Sequence, residues 1–443
     1  KTFFFWNEEW RKINQGSNPN VVNTLDQRDF PVAGQDLQYF APAFASTSAL
    51  LVPSATTVSD PAFQAKLTAL GLQAGTPFPT AADGSQVIPA SLIDPNAIAY
   101  LGTGIIPKGD ASVAQGQAVS QAQTPLNVRD DVVRIDHRVN DKWQILGHYI
   151  HDSITQTLGG PMEGWSGGSY NTITSVVSKP STSAAIKLTG TITSTLLVEL
   201  SMNYDGNVIN IVNSPNSLAP AGFAINKFFT NSSKNLPNMQ FNNQYGVQEN
   251  PASAPWHNAA QDYEPRLDVS YLSGKHSMKF GFSYNRYTKN QQLFGNPGGA
   301  ASFNNLTGGT YNGVTDAGDP FVDMMLGLAG SFSQAQALPI NHYVNQTPSI
   351  YAQDNWHVTP NLSIQLGLRY DALPHAWERN NNLSNFDPNL YLSSQEPAYT
   401  GGNGALNAQM DPNGPGFATV NGNRFYLNGI YLAGQNGQPK GLV

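Results

Sequence analysis

The 443 residues contain no cysteine, which excludes disulfides and thiolate metal sites. Charge is also scarce. Asp, Glu, Lys and Arg make up 12% of the chain, about half the share usual in a soluble globular protein; Asn, Gln, Ser, Thr, Gly and Tyr fill the deficit. The formal net charge is -7, so the basic surface that nucleic acid requires is not expected. No apolar run reaches the ~18 residues of a membrane-crossing helix. No His-Glu-x-x-His, phosphate-loop or Gly-x-Ser-x-Gly pattern occurs. His148, His151 and Asp152 fall close together, as do Asp136 and His137, but strand residues one or three apart point to opposite faces. These absences argue against an enzyme, and no catalytic residue, metal or cofactor is expected. If this chain enters a membrane, it does so with strands.

Alternation is what the sequence has instead. In residues 349–371, SIYAQDNWHVTPNLSIQLGLRYD, Leu362, Ile364, Leu366 and Leu368 alternate with Ser363, Gln365, Gly367, Arg369 and Asp371. This predicts a strand with one apolar and one polar face. Thr359-Pro360-Asn361 supplies a tight turn, and 350–358 the preceding strand. Further strands are predicted at the opening run KTFFFWNEEWRK and at 131–139, 143–151, 183–189, 196–205, 266–272 and 278–287. Leu196, Val198, Leu200 and Met202 form one side of their strand, and Met278, Phe280 and Phe282 one side of theirs.

The connections alternate too: short near residues 141, 191, 274 and 360, long between. Loops beyond ~12–15 residues are uncommon in compact domains, and a soluble sandwich turns every ~8–12 residues. Transmembrane barrels of bacterial outer membranes pair short periplasmic turns with long extracellular loops. The expected fold is therefore all-β: an antiparallel up-and-down transmembrane β-barrel, partial, with about nine strands in an open curved sheet. Asp60-Pro61, Asp94-Pro95 and Asp319-Pro320 each precede an apolar stripe, predicting short helices in the long loops. Asn304-Asn305, Gly308-Gly309, Asn380 to Asn382 and Gly401-Gly402 mark turns there.

In this reading Leu196, Val198, Leu200, Met202, Met278, Phe280, Phe282, Leu362, Ile364, Leu366 and Leu368 face lipid. The lumen receives Arg134, Asp136, Arg138, Glu199, Asn203, Asp205, Gln365, Arg369 and Asp371, either as a solvated wall or as a substrate path. Asp354 falls on the lipid side, where a carboxylate is costly; a bulge near it would re-aim it.

Several blocks, in order, resemble Oar-like TonB-dependent receptors: KTFFFWNEEWRK, VIPASLIDPNAIAYL, RIDHRVNDKWQILGHY, GDPFVDMMLGLAGSFSQ, SIYAQDNWHVTPNLSIQLGLRYD and NGIYLAGQNGQPKGLV. The resemblance implies that residues 1–443 are part of a larger outer-membrane barrel of about 22 strands. The plug, an N-terminal domain and the C-terminal strands would lie outside this sequence. It further implies import of an unknown nutrient, a glycan or peptide, powered by the TonB complex acting through that plug. The alternatives are a passive porin or surface adhesin, and a secreted soluble glycan-binding β-protein.

Overall fold

A computed structural model describes residues 1–16, 18–40, 49–54, 60–121, 123–159, 174–213, 217–226, 228–229, 234–241, 247–248, 255–292, 295, 297–303, 310–311, 314–396, 399–400, 409–411, 413–420 and 423–434. The predicted turns at Asn304-Asn305, Gly308-Gly309 and Gly401-Gly402 lie outside these residues.

Nine long strands form one sheet in chain order: β1 (Thr2–Ile13), β2 (Leu126–Arg138), β3 (Trp143–Gly159), β4 (Thr174–Thr193), β5 (Leu196–Asn213), β6 (Trp256–Ser273), β7 (His276–Gln292), β8 (Ile340–Thr359) and β9 (Leu362–Asp371). Every neighbouring pair is antiparallel. A tenth, short strand, β10 (Trp377–Glu378), pairs with the far end of β8 at Tyr343 and Val344. β1 and β9 are not paired with each other, so the sheet is open. This is the predicted all-β, up-and-down antiparallel architecture.

All short turns lie at one end of the sheet. At the β2–β3 turn the Asn140 side chain accepts the backbone N–H groups of Lys142 and Trp143 at 2.9 and 3.0 Å, the local bond that makes Asn a turn former. Gly274 takes φ 57° in the two-residue β6–β7 turn. The short connection expected near residue 191 lies slightly later, because Gly190 is inside β4 opposite Trp143. A side chain at 190 would collide with the Trp143 ring, so the ring lies across the strand there. The turn itself falls at Ser194 and Thr195.

The strands run well past the predicted limits. β4, β6 and β8 extend towards the long loops through Pro180, Pro265 and Pro348. A proline lacks one ladder donor, and the ladder opens locally: β4–β5 pairing skips Lys179 and Pro180, and β6–β7 pairing skips Glu264 and Pro265. Pairing on the other side of each strand continues through Pro180 and Pro265. Alternation fades there because these ends carry polar residues on both faces, so periodicity alone truncates the strands.

The long connections leave from the other end, and described residues from within 14–125, 214–255 and 293–339 pack into one apolar core. Three short helices anchor it: α1 (Pro61–Ala69), α2 (Pro95–Leu101) and α3 (Pro320–Met325). Asp60, Asp94 and Asp319 accept N–H bonds at their starts, each such cap contributing about 1 kcal/mol. Phe241 stacks at 4.3 Å on Phe321 and at 5.7 Å on Phe303. Met324 and Met325 are buried in the same core.

Within it Asp29 is fully buried, one oxygen accepting the Phe40 N–H at 2.8 Å. Burial, reinforced by the charge of Asp26, pushes its pKa up to about 7, the Phe40 N–H acting against the shift. Burial likewise raises Asp323 well above the usual carboxylate range, with Asp316 adding repulsion.

Candidate functional site

Residues directly opposite in an antiparallel ladder project from the same face. The register therefore assigns every strand side chain to one of two sides. On the first side lies a row of Ile145, Leu188, Leu200, Leu267, Phe282 and Ile350, ending at Tyr370. Adjacent rows hold Ile186 and Met202, and Val198, Val269, Phe280 and Leu368. Many of these are strongly exposed, Leu368 at 79% and Leu366 at 61%. All eleven residues expected to face lipid, Leu362 and Ile364 included, lie on this side.

Aromatics bound the apolar band at both ends. Towards the loops, Trp6, Tyr149, Tyr204 and Tyr263 occupy a single row. Towards the turns stand Trp143, Tyr271 and Trp356. From Tyr271 to Tyr263 the strand rises about 26 Å at ~3.3 Å per residue, close to the height of an outer-membrane apolar band once strand tilt is allowed for.

Asp354 stays on the apolar side. The irregularity in the ladder falls between His357 and Thr359, past it, and does not re-aim it. The carboxylate instead takes the ring nitrogen of His276 at 2.6 Å, and that ring stacks on Trp356 at 5.4 Å. Partnership at the turn end, where the band stops, is what makes an outward carboxylate tolerable.

The opposite side is polar. Arg134, Asp136, Arg138, Glu199, Asn203, Asp205, Gln365, Arg369 and Asp371 all project from it by register and alternation. Three copies of Arg-x-Asp lie here, each pairing its own two ends: Arg134 with Asp136 at 2.8 Å, Arg266 with Asp268 at 2.6 Å, and Arg369 with Asp371 at 2.7 Å. A spacing of two puts both ends on one face. Lys187 pairs with Glu199, while Arg138 turns to Asp141 at 2.8 Å. Such half-exposed pairs contribute only about 0–1 kcal/mol each; their consequence is a charged wall with its side chains held in place. Tyr351 reaches across β7 to donate to Asp268 at 2.6 Å. Gly281, between them in the register, makes this possible, since a Cβ there would overlap the Tyr351 ring.

Further towards the loops the polar wall holds a recess of about 360 Å³, lined by Asp152, Ser181, Asp205, Asn207, Asp262 and Tyr287 among others. Asp152 accepts the Ser181 hydroxyl at 2.8 Å, and Asp262 the Asn285 amide at 2.6 Å. Asp205 faces Asp262 directly. Three carboxylates with a hydroxyl, amides and a phenol offer mainly acceptors, the chemistry for a donor-rich guest such as a polyol or an amine. Sequence reading placed Asp205 on this wall, weighed Asp152 only beside His148 and His151, and missed Asp262. Its only signal for Asp152 and Asp262 in this recess was their place on strands whose upper halves it did not recognise. His148 and His151 lie on opposite sides of β3, as their spacing requires; His151 bonds Thr182 at 3.1 Å.

A sheet with one exposed apolar side, aromatic rows at both limits and a polar other side is the wall of a membrane-spanning β-barrel. The chain belongs to the outer membrane beta barrel domain family, whose model matches residues 1–443, and it resides in the outer membrane. That membership overturns the secreted, soluble alternative. No curated protein matches the chain. Among solved structures it is similar to the outer membrane transporter YddB from Escherichia coli, at 10% identity and a TM-score of 0.35. The similarity covers 61% of this chain and 30% of that one.

Proposed function

We propose that the chain is part of the barrel of a TonB-dependent receptor, Oar-like in kind, that imports a donor-rich nutrient, a glycan in preference to a peptide. The observation that carries this reading is the acid-lined recess of Asp152, Asp205 and Asp262 on the polar wall, beneath long loops that pack into one core. The long loops lie outside the cell and capture the ligand. The recess and the charged wall below it receive the ligand as the plug, coupled to TonB, yields. The wall binds and guides without chemistry, and the protein is not an enzyme.

The test uses the full-length gene in its own host. Spent medium from wild type is compared with that from strains lacking the receptor or TonB. A glycan consumed by wild type and left by both mutants supports the proposal. Consumption that needs the receptor but not TonB makes the protein a passive porin. Identical media from all three strains remove the import role.

A further inference from the structure

The outward side of the sheet carries a second feature, unrelated to the polar wall. At the level of the loop-side aromatic row, a groove of about 440 Å³ opens between β6, β7, β8 and the turn after β10. Its lining is layered. Nearest the apolar band are Met202, Pro265 and Tyr284. At the height of the aromatic row stand Tyr263 and Arg286; above them lie polar groups including Gln261, Asn290 and His342, with Arg379 leaning in from the turn.

None of the described residues that line the groove is acidic, in a chain whose net charge is -7. On the polar wall, by contrast, Arg134, Arg266 and Arg369 each hold an aspartate. Among the described residues, no carboxylate pairs with Arg286 or Arg379. Arg379 is also held in position. Its backbone N–H donates to the His342 carbonyl at 2.9 Å. The neighbouring Glu378 is fully buried and accepts N–H groups from His342, Asn380 and Asn382 at 2.7–2.9 Å. Asn381 completes the turn at φ 58°, a left-handed conformation that asparagine tolerates.

We propose that this groove binds a phosphorylated glycolipid of the outer leaflet. The order of its layers matches that of such a molecule: acyl chain over Met202 and Pro265, phosphate on Arg286 and Arg379, sugar against Tyr263 and the polar groups above. Guanidinium is suited to phosphate because its fork of donors matches the oxygens, and at the membrane interface the pairing is less screened than in bulk water. The site lies outside the lumen, so it does not depend on which nutrient is imported.

The experiment is native mass spectrometry of the full-length receptor in neutral detergent, titrated with bisphosphorylated lipid A. Parallel titrations use the same lipid without phosphates and inorganic phosphate alone. The proposal expects wild type to retain the phosphorylated lipid, and the Arg286→Ala/Arg379→Ala variant to bind it roughly tenfold to a hundredfold more weakly. Lys279→Ala, on the opposite side, should bind like wild type. Heat-modifiable gel migration confirms folding, and Arg379→Ala alone, a loop change, serves if the double variant does not fold. Undiminished binding by the variant, equal loss in Lys279→Ala, or equal retention of the phosphate-free lipid each overturns the proposal. Displacement of the lipid by inorganic phosphate would make the groove a free-anion site and overturn the lipid assignment.

Discussion

Asp205 of β5 lies directly opposite Asp262 of β6 on the polar wall. Like charges so placed destabilise a sheet by about 0.2–1 kcal/mol, and a fold selected for stability alone would not keep them. Asp262 is partly relieved by the Asn285 amide. A double-mutant cycle on Asp205→Asn and Asp262→Asn, measured by urea unfolding of the complete barrel in lipid vesicles, should give a repulsive coupling of that size. Each single change should be neutral or stabilising. A favourable coupling would mean that the two carboxylates share a proton or a bound cation instead of repelling.

Gly281 makes a sharper prediction, because it clears the path from Tyr351 to Asp268. Gly281→Ala should break that hydrogen bond at a cost of about 1–3 kcal/mol. Tyr351→Phe should cost less, since the ring keeps its place, and adding Gly281→Ala to it should cost only the remaining steric strain. The same unfolding assay reads all three. If Gly281→Ala proves neutral beside wild-type Tyr351, the ring does not cross the strand there.

How much of this could be read beforehand follows from where alternation survives. The 362–371 strand was legible because its two faces meet different surroundings along its whole length. The loop-side halves of β4, β6 and β8 were not, because both faces become polar there and a proline interrupts each run. The three helices were legible from Asp-Pro caps, which are local. The convergence of three loops on Phe241, Phe303 and Phe321 is not local, and no single stretch betrays it. On the polar wall, Arg134 with Asp136 and Arg369 with Asp371 were found by period-two reading. Arg266 with Asp268 has the same spacing and was available. The Tyr351–Asp268 bond and the recess join residues from different strands, so register had to be known first.

Leu366 and Gln365 test the assignment of sides. Leu366→Arg should destabilise the complete barrel in vesicles by about 2–4 kcal/mol if it lies near the bilayer midplane, and Gln365→Arg far less. Equal costs would contradict the placement of Leu366 in lipid.

Orientation is testable in intact cells, since these 443 residues contribute no cysteine of their own. Lys66→Cys, exposed on α1, should react with a membrane-impermeant maleimide. Asn361→Cys, in the β8–β9 turn, should react only after the outer membrane is opened. The reverse pattern would put the loop core in the periplasm.

The loop core should loosen as pH rises, and Asp29 is the reason. Its folded pKa, about 7, stands above the ordinary value of 3.8 because burial disfavours the charged form. A group raised on folding contributes stability that is complete below the unfolded pKa and is lost as pH rises through the folded one. The window for Asp29 therefore opens near pH 3.8 and closes near pH 7. Asp323, raised by burial and by Asp316, acts in the same direction. Within the window each proton released on opening changes the opening equilibrium by up to about tenfold per pH unit. Limited proteolysis of the loops on the purified protein should accelerate between pH 5 and 7 under conditions where cleavage follows opening, after correction for the protease's own pH profile. Asp29→Asn keeps an acceptor for the Phe40 N–H and cannot ionise, so it should flatten that rise, leaving the Asp323 part. A rise as steep in Asp29→Asn as in wild type would show that Asp29 does not carry the proton, and loops that tighten with pH would reverse the sign argued here.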